Sequence, residues 1–354
     1  MTLLLTNAEV ETALPMGECL AAMEEAYRDL GEGLGVNGMR SEMLTPTERP
    51  DALYALLTMG GVVPRFGIGA VRINSDILTW PEGGKRVKLP EAPGGRYVGL
   101  VLLFSSITGE PLAIYPDGAV QRSRAAATSG LALKYLARPE ARELALIGTG
   151  WQASGQAMAA AELRTLTRIR CYSPNEARRR AFAGEMSRRL GIEIVPAASV
   201  EDAVRGADMV LCATNSMAPV LPPDCIEPGM HVSSLKRLEL DPAMADRADI
   251  VITHVHEGTG HPRRAVGADL ARDSDAARDA VSRAIGAEAR PTLADLLLGR
   301  AEGRRDASQV SLFLNYAGIG YQFAATGHVI YRRARALGLG REIDTDWLTS
   351  ELVS

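Results

Sequence analysis

Six consecutive residues carry the sharpest chemical signal in the chain: Gly148, Thr149, Gly150, Trp151, Gln152 and Ala153. They read GxGxxA, after the apolar run LALI and before the helix-forming stretch WQASGQAMAAAELR. The first glycine permits a tight turn, and the second lets backbone approach a pyrophosphate. Ala153 lets helix and strand pack closely. The helix start behind the turn offers N–H groups and partial positive charge to phosphates. This pattern predicts a dinucleotide site. An acid at the end of the next strand would bond the ribose 2′-OH of NAD. The chain has Ser173, Pro174 and Asn175 there, with Arg178 and Arg179 close behind. Arg178 suits a 2′-phosphate through a bidentate contact. The expected cofactor is therefore NADP(H), with NAD(H) as the alternative. The competing reading of these arginines is a solvated helix face. Ala213, Thr214 and Asn215 end a further strand and are expected to line the crevice at the strands' carboxyl ends.

Among the arginines that precede the glycine turn, Arg40, Arg72 and Arg124 stand in plausible site positions. A guanidinium pair or triad would suit a carboxylate ligand, because its planar fork matches the two oxygens. Only four of the 39 basic residues are lysine, so one arginine alone says little. The run THVHEGTGHP holds His254, His256 and His261. His254 and His256 are expected two apart on a strand. No HExxH or Cys/His spacing accompanies them, so no metal site is expected. There is no GxSxG elbow and no cysteine in a catalytic context.

The elements that must position these residues come in two styles. Residues 16–32 space Cys19, Leu20, Met23 and Tyr27 as one face of a helix. Residues 52–78 are short apolar runs, and 97–116 read as a hairpin around SSITGEP. The first ~115 residues are thus expected to be α+β with a largely antiparallel sheet. The stretch 80–96 is polar, basic and rich in Gly and Pro. It reads as a solvated connection, or as a lid carrying Lys85, Arg86, Lys88 or Arg96. A long Ala- and Leu-rich helix is expected over 118–137. From 144 onward strands and helices alternate, which implies βαβ units and a parallel sheet buried on both faces. The tail 308–337 is expected to be helical and to pack back on the N-terminal part.

Composition narrows the function classes. The chain has 354 residues, roughly two domains. It is 46% hydrophobic and 23% charged, with net charge −4 and only 5% aromatic residues. Such a balance argues against a nucleic-acid partner. No apolar run reaches the ~20 residues that a membrane span needs. The N-terminal stretch lacks a basic region before its apolar residues, so it is read as mature protein. Cys19, Cys171, Cys212 and Cys225 lie far apart and are expected to be reduced, in a cytoplasmic protein.

Four stretches carry a family resemblance: GEPLAIYPDGAVQRSRAAATSGLALKYLAR, ALIGTGWQASGQ, GADMVLCATNSMAPVL and DLLLGRAEGRRDASQVSLF. Together they resemble the ornithine cyclodeaminase/μ-crystallin family, from about 15 to 345. The resemblance implies an α/β protein in which a Rossmann-type domain, 123–307, is inserted between the parts of an α+β substrate and dimerisation domain, 1–122 and 308–354. It implies a homodimer, NAD(P) in the middle domain, and a small imino or amino acid as ligand. By position, Arg40, Arg72 and Arg124 look like the family's carboxylate-holding set. Arg72 stands where the family usually has lysine, and Ala125 replaces the usual threonine. Besides Gly148 to Ala153, the expected cofactor residues are Ser173, Asn175, Arg178, Ala213, Thr214, Asn215, Ser233 and Leu235.

One departure bears on the reaction. The family's cyclodeaminases carry a catalytic aspartate in a loop reading roughly His-Ile-Asn-Ala-Val-Gly-x-Asp-Ser-Pro-Gly-Lys. This chain has a shorter loop, from His231 through Lys236 and Arg237 to Glu239 and Asp241, with no counterpart. Family ketimine reductases also lack the aspartate. The expectation is therefore an NADPH-preferring imine reductase or amino-acid dehydrogenase, with Arg72 and Lys236 as catalytic candidates. A cyclodeaminase with bound NAD+ and a non-catalytic binding protein are the alternatives.

Overall fold

The computed structural model describes residues 1–81, 86–256, 263–266 and 273–351, the side chains of 263–265 and 273–278 excepted. They form a mixed α/β structure of two compact units. One comprises Met1–Arg124, Thr259–Ala276 and Gly318–Ser354. The other comprises Ala125–Gly258 and Ala277–Ala317.

The first unit is built on a ten-stranded sheet. Its longest strands, Ala52–Val63 and Ile68–Thr79, pair antiparallel along their whole length. What reads in sequence as short apolar runs is thus two 12-residue strands. Side chains alternate faces along a strand. On Ile68–Thr79 this puts Arg72, Asn74 and Asp76 together on the buried face. The predicted hairpin is present as Val98–Ser105 against Pro111–Pro116. Within the connection at 80–96, Val87–Leu89 forms a short strand paired with Ile77–Thr79.

The helix Tyr321–Leu337 lies on the two long strands and beside the helix Met16–Gly31. Glycine makes that approach possible. A Cβ on Gly61 would lie 2.5 Å from the Tyr321 Cα, and one on Gly320 only 2.2 Å from the Gly60 oxygen. The helix Gly118–Leu136, rich in Ala and Leu, runs from the first unit into the second.

The second unit carries a seven-stranded sheet. Its order is Glu193–Pro196, Arg168–Tyr172, Glu143–Ile147, Met209–Cys212, His231–Ser234, Ser311–Leu314 and Ile250–Thr253. Every pairing is parallel. The chain order reverses between Glu143–Ile147 and Met209–Cys212, and ligands of open α/β sheets bind at such a switch point. Both faces are covered by apolar clusters around residues such as Leu146, Ile169, Val210 and Leu312.

Two expectations need correction. Residues 308–337 are not helical throughout. Ser311–Leu314 is a buried strand inside the parallel sheet, and its apolar run SLFL needs cover on both faces. The division at the C-terminal side accordingly falls after Ala317, not before 308. In addition, Arg263–Ala265 pairs with Ser41–Pro46, which joins a segment from the expected middle domain to the first unit.

Gly61→Ala tests the close approach of helix and strand. It should destabilise the protein by about 1–3 kcal/mol, the usual range for overpacking. The readout is the urea midpoint, and an unchanged midpoint would show that the contact is slack.

Candidate active site

The glycine turn connects the first strand of the parallel sheet to the helix Trp151–Leu163. Gly148 has φ +118, a backbone that L side chains rarely adopt. A Cβ there would sit 2.4 Å from the Ala213 oxygen, across the switch point. Around Gly150 the space is open, and as the helix N-cap it brings no side chain of its own to the first turn. These features set a helix start beside a backbone cradle, which fits a pyrophosphate. The turn is tied to the next strand by Thr149 and Ser173, whose hydroxyls lie 2.7 Å apart.

The two neighbouring arginines divide. Arg179 is buried, donates to the Ser173 carbonyl at 2.5 Å and lies over the Tyr172 ring. It shapes the strand end. Arg178 is exposed, and its guanidinium makes no hydrogen bond or ion pair among the described residues. Asn175 caps the helix Glu176–Leu190 by accepting from the Arg178 backbone N–H, so its side chain is already engaged.

Glu239, to which the sequence assigned no role, is fully buried at the carboxyl end of the same sheet. One carboxylate oxygen accepts from the Thr214 amide. The other accepts from the Ser234 hydroxyl at 2.9 Å and the Leu235 and Lys236 amides at 3.0 Å. It therefore pins both loops that border the crevice. Burial raises its pKa, and the hydrogen bonds from Thr214 and its neighbours pull the other way. Its oxygens are engaged by backbone, so Glu239 does not stand in for the missing aspartate. Ser233, expected at the cofactor, is buried with its hydroxyl turned to Ser129 at 3.4 Å. Lys236 is exposed on this unit.

The first unit holds the arginines. Arg72 and Arg124 are both buried, and their guanidinium carbons lie 5.3 and 5.7 Å from the centroid of one ring, Phe323. Cations are attracted to such a ring face. Arg124 donates to the amide oxygens of Gln121, at 2.8 and 3.1 Å, and of Gln322, at 3.0 Å. Gln322 in turn donates to the Tyr27 hydroxyl at 2.9 Å. Arg72 meets Oδ2 of Asp117 through Nε at 2.7 Å and Nη2 at 2.6 Å. Burial lowers the pKa of Arg124, as do the like charges of Arg72 and Arg40, while Asp117 opposes the shift. Arg40 thus belongs to the same electrostatic group. Asp117, Gln121, Gln322 and Phe323 were not foreseen, although the tail GIGYQF is unusually rich in Gly and aromatics.

Of the cations in the basic connection, Arg96 is exposed and its guanidinium makes no hydrogen bond or ion pair among the described residues, whereas the next two are engaged. Arg86 pairs with Glu42 at 2.8 Å and Lys88 with Asp76 at 2.6 Å. Lys85 lies outside the described residues.

The histidines need one correction. The strand ends at Thr253, so His254 and His256 lie beyond it. His254 is buried and bonds the Ala317 carbonyl at 2.7 Å, and His256 bonds the Arg290 carbonyl at 2.8 Å. His261 is outside the described residues, among which no metal-binding cluster occurs. Cys19, Cys171, Cys212 and Cys225 are free thiols. No helix of the described residues is long and apolar enough to cross a membrane.

A parallel sheet with a glycine turn at its switch point defines the nucleotide-binding α/β class. The profile of the ornithine cyclodeaminase/mu-crystallin family matches residues 82–337, and the chain belongs to that family. It is similar to a Δ1-pyrroline-2-carboxylate reductase of Bacillus cereus, at 23% identity over 97% of this chain and 99% of the relative. The alanine dehydrogenase of Archaeoglobus fulgidus is 27% identical, over 97% and 98%. The solved Thermococcus litoralis Δ1-pyrroline-2-carboxylate reductase, in complex with NADH and L-proline, superposes with a TM-score of 0.77. Its identity is 27%, over 97% of this chain and all of that one.

The second unit can be tested at two positions. Gly148→Ala adds both strain and a clash, and should weaken dinucleotide binding by about 10²-fold. A fluorescence titration reads this, and wild-type affinity would contradict the cradle. The other position is His231, which is fully buried, 3.0 Å from the Ser311 hydroxyl. Burial, then Arg304 and Arg164, hold its pKa down at about 3. Between there and about 6.5 the unfolded chain binds the proton that the folded one refuses. Stability should therefore fall as pH drops below 6.5, by up to about 1.4 kcal/mol per unit. Urea unfolding at pH 7.5, 6 and 5 checks this against His231→Gln, which should flatten the slope.

Proposed function

We propose that the chain is an NAD(P)H-dependent reductase of a small α-imino acid, an imine or ketimine reductase or an amino-acid dehydrogenase. The observation that carries the reading is the burial of Arg72 and Arg124 against one ring, in a chain that also has a dinucleotide cradle. Two buried guanidinium groups call for an anion, and a carboxylate matches their geometry. Similarity to reductases of a cyclic imino acid supplies the reaction class. A nicotinamide held by the glycine turn would supply the hydride that reduces the carbon next to a carboxylate. Arg72 and Arg124, with Arg40 nearby in charge, fix the carboxylate and hold the carbon in line. Gly148 to Ala153 take the pyrophosphate, while Ala213 to Asn215 and Leu235 border the crevice. Lys236 is the candidate proton donor.

NADP(H) is the preferred dinucleotide in this reading. Ser173 offers no negative charge, and the unengaged Arg178 is available to a 2′-phosphate. The assembly is a homodimer through the outer face of the large sheet. That face keeps Met43, Val98 and Leu100 exposed, at 42%, 39% and 38%. Apolar residues grouped on an open sheet face favour a protein partner. The missing aspartate and the engaged Glu239 argue against cyclodeamination.

Arg124→Ala should raise the KM for an imino acid by about 10²-fold, as loss of a buried charged partner costs a few kcal/mol. The Kd for NADPH should stay within about threefold, because Arg124 belongs to the carboxylate site. Unchanged KM would remove Arg124 from that site. Ammonia released from ornithine without NADPH oxidation would turn the assignment towards a cyclodeaminase.

A further inference from the structure

The carboxylate of Asp117 stands inside the arginine group, and its two oxygens are used unequally. Oδ2 takes Arg72 twice and the Asn74 amide at 3.2 Å. Oδ1 has no hydrogen-bond partner among the described residues, and the side chain keeps 15% of its surface. On the other side of the same ion pair, Nη1 of Arg72 is also without a partner among the described residues. An open donor and an open acceptor therefore belong to one buried pair.

The backbone is shaped to hold Asp117 there. Its N–H donates to the Gly99 carbonyl at 3.0 Å, and Gln121, the partner of Arg124, begins its helical turn on the Asp117 carbonyl at 2.7 Å. A Cβ on Gly99 would lie 2.2 Å from Oδ1 and 2.6 Å from the Asn74 nitrogen. Glycine at 99 is thus the clearance in which carboxylate and amide meet.

We propose that Asp117 recognises the substrate's nitrogen, its open Oδ1 accepting the imine or amine N–H while Arg72 and Arg124 hold the adjacent carboxylate. The inference rests on the carboxylate site proposed above and deepens it. A protonated α-imino acid is a zwitterion, with its two charges on neighbouring groups. Guanidinium groups alone would repel the nitrogen end. A carboxylate tied to one of those guanidinium groups offers the complementary charge at the adjacent position. Asp117 is thereby a specificity residue, which selects nitrogen-bearing acids over acids that lack the nitrogen.

L-Proline and cyclopentanecarboxylate share a ring and a carboxylate and differ in the N–H. Their Kd values are measured by calorimetry on wild type, Asp117→Asn and Asn74→Ala, each with saturating NADPH. Wild type should prefer proline by at least about tenfold. Asp117→Asn should bring the ratio close to one by weakening proline, while cyclopentanecarboxylate binds as before or more tightly. Asn74→Ala leaves the charges in place and should reduce the ratio severalfold, which decides the matter if Asp117→Asn does not fold. Equal affinity of wild type for both ligands would overturn the role of Asp117. So would an unchanged ratio in both variants. Binding of neither ligand by wild type would overturn the carboxylate site itself, and Asp117 with it.

Discussion

Burying Arg72 and Arg124 against the same ring is costly, because each guanidinium loses water and faces a like charge. The first unit is arranged around that cost. Asp117 supplies a counter-charge to Arg72, and the amide oxygens of Gln121 and Gln322 receive Arg124. Phe323 and Gln322 reach the site only because their helix lies close to the strands, at Gly60, Gly61 and Gly320. The positive potential that remains suits an anionic ligand, so the same burial that strains the fold prepares the site.

The second unit answers a different requirement, a backbone that can approach phosphates. Gly148 turns with positive φ and lies against the Ala213 carbonyl. The Thr214 amide, on the far side of that peptide, is held by Glu239. Glu239 also fixes the Leu235 and Lys236 amides. One buried carboxylate thus sets the loops after two strands of the parallel sheet. An acidic residue in this loop is thereby explained by architecture rather than by proton transfer.

Much of this was legible in the sequence where the signal is local. The glycine turn, the alternation after residue 144 and the hairpin at 97–116 each rest on near neighbours, and each is present. The strand Ser311–Leu314 was missed because a four-residue apolar run between glycine-rich stretches has no period of its own. Arg72 and Arg124 could be singled out, but their union over Phe323 joins residues far apart in the chain. Asp117 and Glu239 look like surface acids in sequence. Only the fold shows that one enters a guanidinium pair and the other a nest of amides. The same holds for Arg178 and Arg179, adjacent in sequence yet opposite in burial.

Imine reduction with the carboxylate held by the first unit is the central claim. The direct measurement is NADPH oxidation at 340 nm by the purified protein, with Δ1-pyrroline-2-carboxylate and a panel of cyclic and acyclic α-imino acids. Steady absorbance loss is expected with at least one of them, and none with the same compounds lacking the carboxylate. Absence of turnover across the whole panel, or equal turnover without the carboxylate, would contradict the claim.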